Sequence, residues 1–379
     1  MHNKFAKDEI PKEIVLFSIY REMETGIRLK ILLSTGSLWI LWTIVYFVRY
    51  NGGSATFMTQ QPAKDGNNTI NFTILLHMPR TYYGKNYLRI NFFNGCEYDN
   101  CKVTFDPDLL YGSDAVVFHH DMMQKNPPRK RDNQKWIFAS FETPFHTHNV
   151  YKKYKFDWVM SYRRDADVFS PYGLIQKRAK IPVKNYTSIF VKKTKDVAWI
   201  SSNCGVPSKR DEYVKELSKY IPVDISGKCG THSCSKPRVW CKRKLSENYK
   251  FYLSFENSLC NDYLTEKIFT IYMDDVNYIP VVRGAPNIKE HLPNNTYISA
   301  ANFKSPKELA KFLTIVGKNQ SYYISLLKEK DKYYPYINPN EETGMCNICR
   351  HLNEGYQINR TLNIDKWLWE GQCEKPVDI

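Results

Sequence analysis

Two stretches of this chain carry side chains able to do chemistry together. One is Phe141 to His146, F-E-T-P-F-H; the other is Tyr249 to Lys267, Y-K-F-Y-L-S-F-E-N-S-L-C-N-D-Y-L-T-E-K. Glu142 closes an apolar run from Lys135 that reads as a buried strand. A carboxylate at the carboxyl end of such a strand stands where open α/β sheets place functional groups, which makes Glu142 the candidate general base. By residue type alone, a surface acid or a helix N-cap neighbour fits there as well. In the second stretch Phe251, Leu253 and Phe255 alternate with Tyr252, Ser254 and Glu256, the period of a strand. A helix is predicted from Asp262 or Tyr263. Its free N–H groups, with Lys267 one turn in, would make an anion site.

A second cation has similar surroundings. Asp196 to Asn203 reads as a strand ending in small polar residues, followed by a predicted helix from Asp211 to Ile221 with Val214, Leu217 and Ile221 on one face. Arg210 stands at the start of that helix, where a cation opposes the local dipole and needs another reason to be present. Asp165-x-Asp167 is the pattern that holds a metal on a sugar nucleotide in some transferases, but the adjacent Arg163 and Arg164 can pair with both acids. His119, His120, His146 and His148 suggest zinc, yet no third ligand follows at a usable spacing, and no metal site is expected.

The elements that must position these groups alternate strand and helix. Thr73–Met78, Asp114–His120, Lys135–Glu142 and Tyr278–Gly284 are further buried strands, and Ser305-Pro-Lys-Glu308 is a capping box launching a helix to about Val316. Two facing α/β domains follow, over 71–190 and 191–345, with 346–379 as a closing segment.

The 379 residues are 42% hydrophobic and 15% aromatic, with 27 Tyr and a formal charge of +15. That charge suits nucleotide phosphates, acidic lipids or nucleic acid. Lys125–Arg131, with its paired prolines, reads as a solvated loop. Ile31 to Val48 is uncharged; at about 1.5 Å per residue it covers roughly 27 Å, enough for one membrane crossing. Residues 1–30 are then a cytosolic tail and 49–70 a stem, because Lys and Arg are denser before the apolar segment than just after it. All ten cysteines follow the segment, as do the sequons at Asn67, Asn71, Asn185, Asn294, Asn319 and Asn359. This favours an oxidising lumen and argues against a nucleic-acid partner. The expected placement is a membrane of the secretory pathway, single-pass type II, with the catalytic part lumenal. In that compartment Cys96, Cys101, Cys346 and Cys349 read as disulfide cysteines rather than zinc ligands.

F-Y-L-S-F-E-N-S, D-Y-L-T-E-K and the following Ile279-Pro280-Val281-Val282 with Gly284 resemble the donor-binding signature of the α1,3-fucosyltransferases, glycosyltransferase family 10. The likeness extends from Thr73 to Asn353. It implies a two-domain GT-B fold of Rossmann-like halves and GDP-fucose as donor. No required cofactor is implied, and any divalent-ion stimulation stays open. F-E-T-P-F-H is similar to the family's carboxylate-Ser-Pro-x-His segment, which gives Glu142 the role of base toward an acceptor hydroxyl. Ser161 to Gly173 resembles Y-R-R-D-S-D-x-x-x-P-Y-G, implying that Tyr172 reaches the donor and that both aspartates are structural. By the same resemblance Ser202, Asn203 and Arg210 bind the donor, as do Tyr252, Asn257, Tyr263, Glu266 and Lys267. It also pairs Cys96 with Cys346 and Cys101 with Cys349. The implied reaction is inverting transfer of fucose to a GlcNAc hydroxyl of a glycoprotein or glycolipid glycan. The rival is a membrane-anchored glycan-binding or inactive relative. Acceptor choice belongs to loops such as Met122–Asn133 and Thr147–Lys155.

Overall fold

Short apolar runs build two parallel sheets. The first contains β1 (Phe72–Leu76), β2 (Cys101–Thr104), β3 (Ala115–His119), β4 (Lys135–Ala139), β5 (Trp158–Ser161) and β6 (Val168–Phe169), in the order β2-β1-β3-β4-β5-β6. Every pairing in it is parallel. All five residues of β3, A-V-V-F-H, are buried, which is the continuous apolar pattern of a sheet covered on both faces. After β7 (Leu174–Lys177) comes the second sheet: β8 (Lys195–Ile200), β9 (Val223–Ser226), β10 (Tyr249–Phe255), β11 (Ile279–Arg283) and β12 (Ile298–Ser299), in the order β12-β11-β10-β8-β9. It too is parallel throughout. β13 (Tyr333–Tyr336) pairs antiparallel with β7. The computed structural model describes residues 72–78, 92–232, 238–336, 344–357 and 362–379. The expected anchor and stem, and Asn67, Asn71 and Asn359, lie outside the described residues. No helix among the described residues is long and apolar enough to cross a membrane.

The helices are α1 (Tyr186–Val191), α2 (Arg210–Leu217), α3 (Arg238–Leu245), α4 (Glu266–Phe269), α5 (Pro306–Lys318), α6 (Gln320–Lys330), α7 (Met345–Asn353) and α8 (Ile364–Trp369). α5 starts with half of its expected capping box: the Ser305 hydroxyl accepts from the Glu308 N–H and Pro306 takes the first helical position, while the Glu308 carboxylate accepts from the Lys304 N–H. Val214 and Leu217 of α2 and Leu309 and Leu313 of α5 pack with Val197, Phe251, Leu253 and Phe255 to form the core of the second sheet. Ile348 and Cys349 of α7 join Ile74, Val117, Ile137 and Trp158 in the core of the first. The disulfides Cys96–Cys346 and Cys101–Cys349 fasten α7 to that sheet across sequence separations of 250 and 248. Cys204–Cys229 and Cys260–Cys373 are the other described pairs, and Cys241 is also disulfide-bonded.

Two helices depart from the sequence expectation. α2 ends at Leu217; Ile221 still packs into the core, but from the turn that follows. The helix expected from Asp262 or Tyr263 begins only at Glu266. Asp262 adopts a left-handed φ of 60° and is held by Asn287 (2.7 Å) and His291 (2.8 Å). These long-range contacts pull the segment out of helical geometry.

Candidate active site

In the second sheet the chain order reverses between β8 and β10, and such switch points open a crevice at the carboxyl ends of the strands. Ser201–Asn203 follow β8 at that edge, and Glu256–Ser258 follow β10. Glu256 is buried and is the hub of the site. Its carboxylate accepts from the Thr265 N–H (2.9 Å) and the Thr265 hydroxyl (2.9 Å), and it pairs with the Lys267 ammonium at 2.9 Å. One of the first-turn N–H groups expected to face an anion is therefore occupied by a side chain of the protein. Burial alone would lower the Lys267 pKa, but the Glu256 and Glu266 carboxylates outweigh it and hold the ammonium above its ordinary value. Gly284 makes room for the hub: a Cβ there would lie 2.9 Å from Glu256 Cγ.

Arg210 is buried beneath the same edge. Its guanidinium donates to the carbonyls of Phe255 (2.7 Å) and Asn203 (2.8 Å) and to the Ser201 hydroxyl (3.2 Å). It ties the two strand ends together, which is a reason for a cation at a helix start. Asn203 is exposed and Ser202 half-buried on the turn above it. Gly227, at φ 91°, passes so close that a Cβ would stand 2.9 Å from Ser202 Oγ. The Asn257 side-chain oxygen is buried without a hydrogen-bond partner.

Glu142 comes to this edge from the first sheet, just beyond β4. Tyr263 donates to its carboxylate at 3.1 Å, and Thr143 and Ser258 share a hydrogen bond at 3.0 Å. Those two contacts join the two stretches that the sequence singles out. Burial raises the Glu142 pKa; the Tyr263 hydrogen bond and the charges of His146, Lys267 and His120 pull the other way without cancelling it. Tyr172 donates to the Phe141 carbonyl (2.7 Å), and Tyr162, Tyr172 and Tyr263 form a ring cluster behind the carboxylate. Burial, and then the Glu142 charge, holds the Tyr172 hydroxyl well above its usual range, so it stays a neutral donor.

Not every expected residue comes to the edge. Tyr252 lies mid-strand in the core, 2% exposed and stacked on Tyr278 with ring centroids 5.1 Å apart. The alternation of β10 turns it into the sheet face packed by Ile271 and Val276, away from the strand end. It is therefore not among the expected donor residues gathered at the strand-end edge. Glu266 opens α4, half-buried, at 3.7 Å from Lys267. Asp165 pairs with Arg163, but Asp167 accepts from the Val159 N–H and Arg164 reaches Glu290 instead. His119, His120 and Asp121 bring donor atoms within 4.8 Å of one another; Asp121 is the third group that the spacing argument overlooked. Asn185, Asn294 and Asn319 are exposed, the first and last also capping α1 and α6. Sequence reasoning missed Glu256 as a functional residue. Its one signal was the repeat of Phe-Glu at a strand end, Phe141-Glu142 and Phe255-Glu256.

A model of the N-terminal part of fucosyltransferases matches residues 68–173, and the model described as glycosyltransferase family 10 (fucosyltransferase), C-terminal part, matches 190–367. Glycoprotein 3-alpha-L-fucosyltransferase A of Drosophila melanogaster is 36% identical over 293 residues, which cover 73% of this chain and 56% of that protein. Alpha-(1,3)-fucosyltransferase C of the same organism is 32% identical, covering 73% of this chain and 70% of that protein. A crystal structure of an α1,3-fucosyltransferase with GDP superposes with a TM-score of 0.53 at 16% identity, over 80% of this chain and 95% of the other. With two family models in tandem over both sheets and relatives above 30% identity, the chain belongs to glycosyltransferase family 10, a fucosyltransferase family.

Proposed function

We propose that this protein transfers L-fucose from GDP-β-L-fucose to a GlcNAc hydroxyl of a glycoprotein or glycolipid glycan, with inversion, as an α1,3-fucosyltransferase. The observation that carries this reading is the 3.1 Å hydrogen bond from Tyr263, in the donor signature, to Glu142, the candidate base. The two sheets act as the facing halves of a GT-B enzyme, with the donor along the β8–β10 edge. The acceptor oxygen attacks the anomeric carbon while its proton passes to Glu142. The bond to the diphosphate breaks, and its electron pair leaves with GDP. A raised Glu142 pKa brings the base nearer to neutrality, where proton transfer is most effective. Lys267 stabilises the charge gained by the departing diphosphate, and Arg210 holds the turn whose N–H groups and Ser202 and Asn203 face it. Tyr172, Asn257, Tyr263 and Glu266 border the sugar. The donor is the only small molecule this scheme requires. Disulfide bonding of all nine described cysteines supports a lumenal catalytic part in a type II Golgi protein.

The test uses the full chain with GDP-fucose and a panel of glycans presenting core GlcNAc, LacNAc or LacdiNAc. Fucosylated product from the wild type, lost in Glu142→Gln with GDP binding retained, is the expected result. GDP binding by the wild type without any transfer overturns the reading in favour of a glycan-binding relative.

A further inference from the structure

Two large aromatic side chains stay exposed beside the candidate base. Phe145, three residues after Glu142, is 47% exposed, and Trp369 at the end of α8 is 49% exposed. Their rings meet edge to face with centroids 5.4 Å apart. Exposing two such rings forgoes the burial that aromatic side chains ordinarily seek, so the pair needs a reason to face the solvent.

A closed circuit of contacts fixes the pair relative to Glu142. Phe145 stands on the 3₁₀ turn Pro144–His146, which follows Glu142 after the single extended residue Thr143. Phe145 touches Trp369, and four residues later Cys373 is bonded to Cys260. Asn261 donates its N–H to the Gln372 carbonyl at 2.8 Å, and two residues on Tyr263 returns to Glu142. The other end of the C-terminal stretch is anchored on the first sheet's side: Tyr151 donates to Asp365 at 2.7 Å, and the Trp369 indole N–H lies at the Tyr151 hydroxyl. The last residues continue to the second sheet, where Asp378 pairs with Arg283. Residues 364–379 are thus a strap across the two halves, and Trp369 is held where it crosses beside the base.

The same turn contains a polar group lacking a partner. His146 Nε2 is buried with no hydrogen bond, and its charge is one of those felt by Glu142. An aromatic face next to a carboxylate and an unsatisfied imidazole nitrogen matches the chemistry of a pyranose: one face of C–H groups, with hydroxyls around its edge.

We propose that Phe145 and Trp369 form a stacking platform for a pyranose ring of the acceptor glycan, with His146 bonding one of its hydroxyls. This rests on the transferase reading above. The platform holds acceptor and not donor, because it lies on the first sheet's side of Glu142 and the nucleotide edge lies on the other.

Steady-state kinetics of the full chain with GDP-fucose and the methyl glycosides of GlcNAc and LacNAc test it. Trp369→Ala and Phe145→Ala are expected to raise the acceptor KM by about tenfold while the GDP-fucose KM stays within about twofold. Trp369→Phe, which keeps an aromatic face, recovers most of the loss. If Trp369→Ala does not fold, Phe145→Leu on the exposed turn carries the same expectation. Acceptor KM unchanged in these variants, or both KM values rising together, overturns the platform. No transfer by the wild type to either glycoside or to the glycan panel overturns the transferase reading, and the platform with it.

Discussion

Glu142 and Glu256 have almost the same local sequence, Phe-Glu before a polar residue, and both follow a parallel strand, Glu142 three residues after β4 and Glu256 directly after β10. Their surroundings differ. Glu256 is met by an ammonium, an N–H and a hydroxyl, so its charge is fully engaged and it serves to hold α4 and Lys267 in place. Glu142 receives one neutral phenol, and burial raises its affinity for a proton. The contrast teaches that proton-accepting capacity at this edge comes from the absence of a directly paired cation and not from the dipeptide. Glu142→Gln tests it with the largest expected effect. Turnover should fall about 10³-fold, the scale of a general base, with GDP affinity and Tm nearly unchanged. A kcat within tenfold of the wild type would break the comparison.

Glu256→Gln should behave in the opposite way. It leaves the partly buried Lys267 with only the more distant Glu266 carboxylate, 3.7 Å away, and breaking the closer buried pair costs about 3 kcal/mol. The expected result is a marked fall in Tm and weaker donor binding. Adding Lys267→Met should restore part of the Tm, because the orphaned charge is then gone. A Glu256→Gln variant that keeps its Tm and loses all turnover would exchange the two roles.

The difference between these carboxylates was only partly legible in the sequence. Strand periods placed both at strand ends, and the Ser305 capping box set the start of α5, because these signals are local. The partners of Glu256 are also close in sequence, yet nothing in the pattern says that its carboxylate will take the Thr265 N–H that a helix start leaves open. The late start of α4 was hidden for a related reason: Asp262 is held by Asn287 and His291, 25 and 29 residues away. Tyr252 was assigned by family likeness; alternation puts it on the same strand face as Glu256, and only its place four residues earlier, in a strand buried on both faces, keeps it in the core. The cysteine pairs across some 250 residues came from resemblance and match the structure, because four cysteines by themselves leave the pairing open.

Tyr263→Phe sharpens the comparison by removing the one hydrogen bond Glu142 receives from the donor half. With Glu142 as the proposed base, transfer would need its carboxylate form, and activity should disappear as pH falls through the Glu142 pKa, which burial already sets above the usual carboxylate value. Losing the phenol removes a contact that favours the charged form, and the acid limb of kcat/KM should move to higher pH. At neutral pH the loss should be about tenfold, the scale of a hydrogen bond to a charged group. An acid limb that stays in place would separate Tyr263 from the base.

Asp165 offers a third kind of carboxylate and the smallest expected effect. It belongs to an Asp-x-Asp pair that elsewhere holds a metal, but here it is 53% exposed and faces the buried Arg163 guanidinium, whose plane also stacks on Trp367 with 4.0 Å to the ring centroid. An ion pair with one solvated partner contributes about 0–1 kcal/mol, and Asn retains a hydrogen-bond acceptor for Arg163. Asp165→Asn should therefore change kcat by less than about threefold, with or without a chelator. A large loss in Asp165→Asn, together with activity that chelation removes and a divalent ion restores, would place a metal at the diphosphate. The charge of the leaving group would then no longer fall to Lys267, and the Glu256–Lys267 pair would reduce to a structural clamp.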